Sequence, residues 1–280
     1  MPCHGINKQN KCYVDVYSVQ ESDMMAYKPN LLINGDFQCN QRGLSVYDYT
    51  SNGTHCLDMW HIWKMKLTVN DGYIKIENQD STQHALNQTF GFSRKGTFTL
   101  VINVKDVAGD DAHVYMVSGG TNTRIMSLVK GINVATFTSD DFTKLCVSIP
   151  ANGSMELEYI DLFDGSFAYP HVREDYVTAL NRCRRYLQVY PTMYSMIEMY
   201  YSSKKFISVA NFEKMQSKPN ATIGSAKFYD TSMNYVSAPV STVVCTTDTM
   251  EVRTSEATNE KHASTFTLKL FDVVISCEPL

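Results

Sequence analysis

From Leu31 to about Phe167 the sequence keeps returning to a period of two, and this pattern restricts the fold more than any other feature. In "TFTLVINVKDV", Phe98, Leu100, Ile102 and Val104 share one face, opposite Thr97, Thr99, Asn103 and Lys105. In "MWHIWKMKLTV", Trp63, Met65, Leu67 and Val69 fall on one face and Lys64, Lys66 and Thr68 on the other. The shorter runs "HVYMVS", "NVATFTS" and "KLCVSIP" repeat the theme, and Gly72, Gly91, Gly96, Gly109, Gly119-Gly120, Gly131 and Gly153 punctuate them. Successive side chains of a strand point to opposite faces, so each run can bury one face and wet the other. Many short strands between glycine turns predict a β-sandwich or jelly roll.

One segment breaks the alternation. In "VREDYVTALNRCRRYLQVY", Tyr176, Leu180, Cys183, Leu187 and Tyr190 recur at helical spacing, which predicts an amphipathic helix over about 173–189. Glu174 and Asp175 at its start and Arg182, Arg184 and Arg185 near its end suit the helix dipole, and Pro191 would stop it. Beyond it, "KKFISVANF", "AKFYD", "STVVCTT" and "STFTLKLFDVVIS" read as strands again. With 280 residues the chain has room for one large or two medium domains. The expected layout is an N-terminal arm (1–29), a jelly-roll domain (30–168), a connecting helix (169–191) and a smaller C-terminal β-domain (192–280), a mainly-β protein.

A net charge of −4, with no basic run longer than the pairs Arg184-Arg185 and Lys204-Lys205, excludes a protein built on phosphate contacts, so no nucleic-acid partner is expected. Nowhere do 18 apolar residues run together, so no membrane insertion is expected. The start, "MPCHGINKQNKCYVDVY", lacks the basic and apolar regions of a signal peptide. The 8 cysteines form no C-x-x-C pair and read as reduced, in a protein made in a cytoplasm.

Candidate chemistry is sparse. Asp110-Asp111, Asp140-Asp141 and Glu156/Glu158 are paired carboxylates, but all sit in turn or strand signals where solvated charge is the ordinary explanation. His55, Cys56 and His61, with Cys39, have zinc-ligand chemistry without zinc-site spacing. No catalytic residue is assigned and no cofactor is implied. A strand register that buries Trp63 sends Trp60 to the opposite face, where an aromatic ring could stack on the apolar face of a sugar. Core burial of both tryptophans is the more common outcome. Trp60, Tyr47, Tyr49 and Tyr73 form the candidate carbohydrate-binding set. Asp36 and Asp161 lie at the two ends of the first domain, where first and last jelly-roll strands can run side by side. Together with backbone carbonyls they could hold Ca²⁺, although capping a turn explains each carboxylate without a metal.

The stretch "NLLINGDFQCNQRG", then "LDMWHIW", then "YIDLFDGSFAYPHVREDYVTALNRCRRYLQ", resembles an arrangement found in phage virion appendage proteins: tail-fibre, head-fibre and receptor-binding proteins. The likeness covers about residues 30–280 and includes a C-x-R-Y-type motif (Cys183, Arg184, Arg185, Tyr186), "FEKMQSKPNATI" and the ending "FDVVISCEPL". It implies a carbohydrate-module-like jelly roll, in which Leu31–Ile33 and Phe37 form the first strand and Asn34-Gly35-Asp36 a tight bend. Carbohydrate modules beginning "NGDFE" often place calcium near the Glu, and here that position is Gln38. The family brings no shared catalytic set.

The resemblance further implies a non-enzymatic adhesive protein of the virion, made in the bacterial host cytoplasm and attached to other virion proteins through residues 1–29. Its ligand would be host cell-surface polysaccharide. The alternatives are a glycan-degrading tail enzyme and a free-standing lectin-like module. A homotrimer is expected, since fibre-like appendages are commonly three-fold. Apolar residues on both faces of several strands, Trp60 and Ile62 opposite Trp63 and Met65, also ask for a partner. Phe206, Phe212, Phe228, Tyr229 and Tyr235 place the expected interface in the C-terminal domain.

Overall fold

A computed structural model describes residues 28–49, 54–201, 205–229, 235–237, 240–254 and 267–278. Residues 1–27, most of the expected arm, lie outside the described residues. The first domain contains β1 (Val46–Asp48), β2 (Thr54–His55), β3 (His61–Ile62), β4 (Lys66–Asn70), β5 (Tyr73–Glu77), β6 (His84–Ala108), β7 (His113–Ser118), β8 (Thr121–Ser127), β9 (Gly131–Ile149) and β10 (Ser154–Asp164). They pair antiparallel in the order β1-β4-β5-β10-β6-β9-β7-β8, with β3 joining β2 to β6.

Two long strands turn this sheet into a sandwich. β6 pairs with β9 over His84–Thr89, loses register around Arg94, and resumes over Gly96–Val104. The far half of β6 carries β10, and the far half of β9 carries β7, so each long strand serves both layers. Phe90, Phe98, Phe137 and Phe142 fill the corner with ring centroids 4.9–5.6 Å apart. Between the layers Phe98, Leu100, Ile102 and Val104 are buried with Ile74, Ile76, Leu145, Val147 and Leu157, which is the face their alternation predicts. The mainly-β jelly-roll sandwich read from the sequence is the fold.

The tryptophan register is corrected. "MWHIWKMKLTV" is not one strand: Met59 (φ 70) and Lys64 (φ 50) adopt left-handed backbone. The kink at Lys64 resets the alternation between β3 and β4. Trp60 and Ile62 are therefore buried, Met65 and Leu67 are buried after the kink, and Trp63 on the kink is 46% exposed.

The helix α1 (Tyr176–Arg184) is shorter than its stripe suggests. Asp175 caps it by accepting the Thr178 N–H at 3.0 Å, and the Tyr186 N–H closes its end on the Cys183 carbonyl at 2.9 Å. Ala179 and Cys183 are buried against Cys39, whereas Tyr176 stays exposed. Pro191 does not stop the helix; it lies inside β11 (Leu187–Tyr201). There β11 pairs with one neighbour alone among the described pairings, and its missing N–H breaks no ladder on the other side.

The C-terminal sheet adds β12 (Lys205–Asn211), β13 (Asn220–Tyr229), β14 (Tyr235–Ser237), β15 (Val240–Cys245), β16 (Thr249–Thr254) and β17 (Thr267–Ser276), in the order β14-β13-β17-β11-β12-β16-β15. Its own core holds Met193, Met250, Val252, Leu268, Leu270, Val273 and Ile275. Of the aromatics expected to form a subunit interface, Phe212 packs half-buried on this core. The side chains of Phe206, Phe228, Tyr229 and Tyr235 lie outside the described residues. The two domains are bolted together by Glu278, whose carboxylate pairs with Arg42 and accepts the Met59 N–H at 2.7 Å. Among the described residues no helix is long and apolar enough to cross a membrane.

Candidate functional site

The site grows out of the opening motif. Asn30 stitches the chain to β10: its amide donates to the Ile160 carbonyl (2.8 Å) and to Asp161 (2.9 Å), and its oxygen accepts the Leu162 N–H (2.9 Å). Leu31 and Gly35 continue the pairing through the Leu162 carbonyl and the Ile160 N–H. Leu31–Ile33 thus runs beside the last strand, but neither it nor Phe37 forms the expected first strand, because the segment is irregular and held partly by a side chain. Gly35 is required there, because a Cβ would stand 2.3 Å from the Ile160 oxygen. Asn34 (φ 58) and Phe37 (φ 57) turn the chain, and the Phe37 N–H closes the bend on the Asn34 carbonyl at 3.1 Å.

This bend brings Asp36 to Asp161, as the first-and-last-strand argument expects, and between them stands His171. The imidazole Nδ1 lies 2.8 Å from Asp161 and Nε2 lies 3.3 Å from Asp36. Its ring stacks on Tyr159 at 3.7 Å and 5°. Burial alone would push the imidazole pKa down, but the hydrogen bond and charge of Asp161 and the charge of Asp36 outweigh it and hold the value above the ordinary one. Burial likewise holds the Asp36 carboxyl above its ordinary value, against the pull of the Glu174 N–H and His171. Ca²⁺ takes about six to eight oxygen ligands. Asp36, Asp161 and His171 offer two carboxylates and one imidazole nitrogen, fewer oxygen donors than that ion takes, and the imidazole joins the two ends of the domain.

Beside this bridge opens a cleft of about 320 Å³, lined by Asp36, Phe37 and Gln38 from the bend, Asn70, Asp71, Gly72 and Tyr73 from the β4–β5 turn, and Arg173 and Tyr176 from the approach to α1. Gly72 (φ 76) makes the turn tight. The walls are fixed from behind. Gln38 donates to the Glu174 carbonyl (2.8 Å), and the Glu174 N–H donates to Asp36 (3.0 Å). Arg182 pairs with the Glu174 carboxylate (3.1 Å) and donates to the Asn30 and Leu32 carbonyls. Lys105 covers one face of the Tyr73 ring at 3.6 Å, and Tyr176 is 54% exposed. The result is a fixed recess with two phenol rings, two carboxylates, two carboxamides and a guanidinium.

The candidate sugar-binding residues separate. Tyr73 lies in this cleft. Trp60 (0% exposed) and Tyr47 (1%) are core residues and present no stacking face. Trp60 packs on Phe37 and donates its indole N–H to the Asn34 carbonyl (2.8 Å), while Tyr47 bonds to Asn40. Tyr49 lines a different cleft, of about 280 Å³, with Lys64, Lys66, Glu77 and Asp80. A larger recess of about 520 Å³ around Thr97, Met116 and Thr138 has no aromatic ring in its lining. Four of these carboxylates have partners of their own: Asp111 binds Arg124 (2.7 Å), Asp140 binds Lys95 at the surface (3.0 Å), Asp141 caps the Gly119 N–H (3.1 Å), and Glu158 accepts from Asn103. The zinc candidates do not converge, since Cys56 bonds to the Trp60 carbonyl and Cys39 packs on α1. His171, Arg173 and Tyr176 were missed, because nothing local marks "PHVREDY" as folding back over β10.

No protein-family model matches the chain, and no curated protein matches it. Among solved structures it is similar to a K85A mutant of CBM29-2, a family 29 carbohydrate-binding module, at 10% identity over 46% of this chain and 100% of that one (TM-score 0.31). It is also similar to the CBM22-1–CBM22-2 tandem domain of Paenibacillus barcinonensis Xyn10C, at 9% identity over 90% of this chain and 98% of that one (TM-score 0.35). A vicilin from Corylus avellana is similar at 9% identity with a TM-score of 0.13. Likenesses this distant assign no function to the chain, and the functional reading rests on the cleft.

Proposed function

We propose that the chain is a non-catalytic adhesive protein of a phage virion, a fibre or receptor-binding component, whose sandwich domain holds host-surface polysaccharide in the cleft of Tyr73 and Tyr176. The observation that supports this reading is the cleft's composition: two phenol rings beside Asp36, Gln38, Asn70, Asp71 and Arg173. A pyranose has an apolar face that an aromatic ring can cover and a rim of hydroxyls that carboxylates and carboxamides can bind. A shallow site of this kind binds each sugar weakly, and a homotrimer would multiply it by avidity. Outward-facing Ile132 (65% exposed) and Val134 (53%) on the sandwich favour such an assembly. Attachment to other virion proteins falls to residues 1–29 in this reading.

Titration calorimetry with host-surface polysaccharide tests the cleft. Tyr73→Ala and Tyr176→Ala should each weaken binding by about tenfold, the equivalent of about 1.4 kcal/mol, without changing the melting temperature. Unchanged binding in both variants would sink the proposal. Release of reducing sugar from the same polysaccharide would move the protein to the depolymerase reading.

A further inference from the structure

We propose that Cys39 and Cys183 are a latent disulfide pair that a hydroperoxide can close, tying the opening bend to the helix. Both residues are completely buried and share one small cluster with Ala179, edged by Ile33 and Leu180. They are the two thiols of that cluster, and the nearness of Cys39 is the leading cause that holds the Cys183 thiol above its ordinary value. Each comes from a fixed backbone. The Cys39 N–H and carbonyl are both held by the Asn34 side chain, at 2.8 and 2.9 Å, and Cys183 lies on a helix capped by Asp175. The other described thiols lie elsewhere: Cys56 bonds to the Trp60 carbonyl, Cys277 to the Arg185 carbonyl, Cys146 sits opposite Tyr115 in the sheet, and Cys245 packs into the C-terminal core.

The chemistry balances with hydrogen peroxide as the oxidant. The Cys39 sulfur, as thiolate, attacks one peroxide oxygen; an S–O bond forms, the O–O bond breaks, and the departing hydroxide takes up the Cys39 proton as water. Cys183 then attacks the sulfenic sulfur, the S–S bond forms, the S–O bond breaks, and the hydroxide released takes the Cys183 proton. Two thiols lose two electrons and one peroxide becomes two waters. The neighbouring Cys39 thiol and then burial raise the Cys183 thiol above its ordinary value. Closure therefore runs at the pace of local opening of α1, which a small uncharged oxidant can exploit. The bond would fix both walls of the cleft, because Gln38 adjoins Cys39 and Tyr176 opens the helix that carries Cys183.

The test uses the whole chain. Native protein is treated with hydrogen peroxide, its remaining thiols are alkylated in denaturant without reductant, and the digest is mapped by mass spectrometry. The expected result is a peptide joining Cys39 to Cys183 that dithiothreitol separates, in a protein melting several degrees higher than before treatment. Cys39→Ala and Cys183→Ala should show no such rise. Alkylation of both thiols after the half-buried Cys277 has reacted would overturn the proposal. So would their conversion to sulfinic acid, or a linked protein that melts lower.

Discussion

Arg42→Ala should separate the unfolding of the two domains. The Glu278 side chain is 0% exposed and its partner's only 18%. Besides Arg42, the carboxylate has the Met59 N–H, the Ser276 hydroxyl at 3.2 Å and His55 at 3.8 Å. Removing the guanidinium leaves a buried carboxylate whose remaining ionisable neighbour is His55, an imidazole whose pKa burial pushes down against the pull of Glu278. Removing one partner of a buried pair costs about 3–5 kcal/mol. Glu278→Gln keeps the shape and part of the hydrogen bonding, so its cost should be smaller, about 1–3 kcal/mol. In the double variant Arg42→Met with Glu278→Gln the penalties should not add, since no unpaired charge is left behind.

Urea denaturation followed by two probes reads the effect. Both tryptophans, Trp60 and Trp63, belong to the first domain, so their fluorescence reports that domain alone. Far-UV circular dichroism reports both sheets. In the native sequence the two curves should coincide, and in Arg42→Ala the dichroism should begin to fall at lower urea than the fluorescence. Coincident curves shifted by less than about 0.5 kcal/mol would refute the view that Glu278 bolts the domains together.

Leu100→Asp buries an unpaired carboxylate between the layers and should cost more than about 4 kcal/mol by the same denaturation assay. Gly35→Ala should cost about 1–3 kcal/mol or more, because its Cβ meets the Ile160 oxygen at 2.3 Å and backbone must move. The folded His171 pKa is raised above the ordinary 6.5, so between the two values the native state holds more protons than the unfolded one. Its stabilising contribution is complete below about pH 6.5 and is lost as pH rises through the folded value; stability should fall there in the wild type and less so in His171→Gln. Parallel pH profiles for the two proteins would count against the imidazolium bridge. Sedimentation equilibrium at micromolar concentration should give three times the chain mass, and a value of 31.7 kDa would leave the monomeric lectin-like reading in its place.

What the sequence made legible was what a strand's own chemistry determines. Phe98, Leu100, Ile102 and Val104 have no polar interruption over four alternations, and no later contact could turn that face outward without exposing all four. "MWHIWKMKLTV" looked equally regular and misled, because left-handed backbone at Lys64 has no signature in a residue that is not glycine. The helix stripe held for Cys183 and the half-buried Leu180, while Tyr176 at its start stays exposed. Past it, Leu187, Val189 and Tyr190 suit a strand as well as a helix, and pairing with β17 decided the matter.

The cleft was illegible for a different reason. It is assembled from residues 36–38, 70–73 and 173–176, three segments with no shared pattern, which meet because Asn30 zips the entry chain along β10 and His171 clamps the returning chain across it. Asp36 and Asp161 were found from sequence because jelly-roll topology alone puts the first and last strands together. The imidazole between them could not be, since a histidine after a proline in an irregular segment has no period to betray its direction. A pair of carboxylates seen without its neighbours looks like half of a calcium site, and only the fold-back of residues 165–171 shows that an imidazole lies between them. Sequence patterns within one element give the walls of such a protein. The sites lie where elements cross, and there long-range hydrogen bonds by Asn30, Gln38 and Arg182 do the positioning.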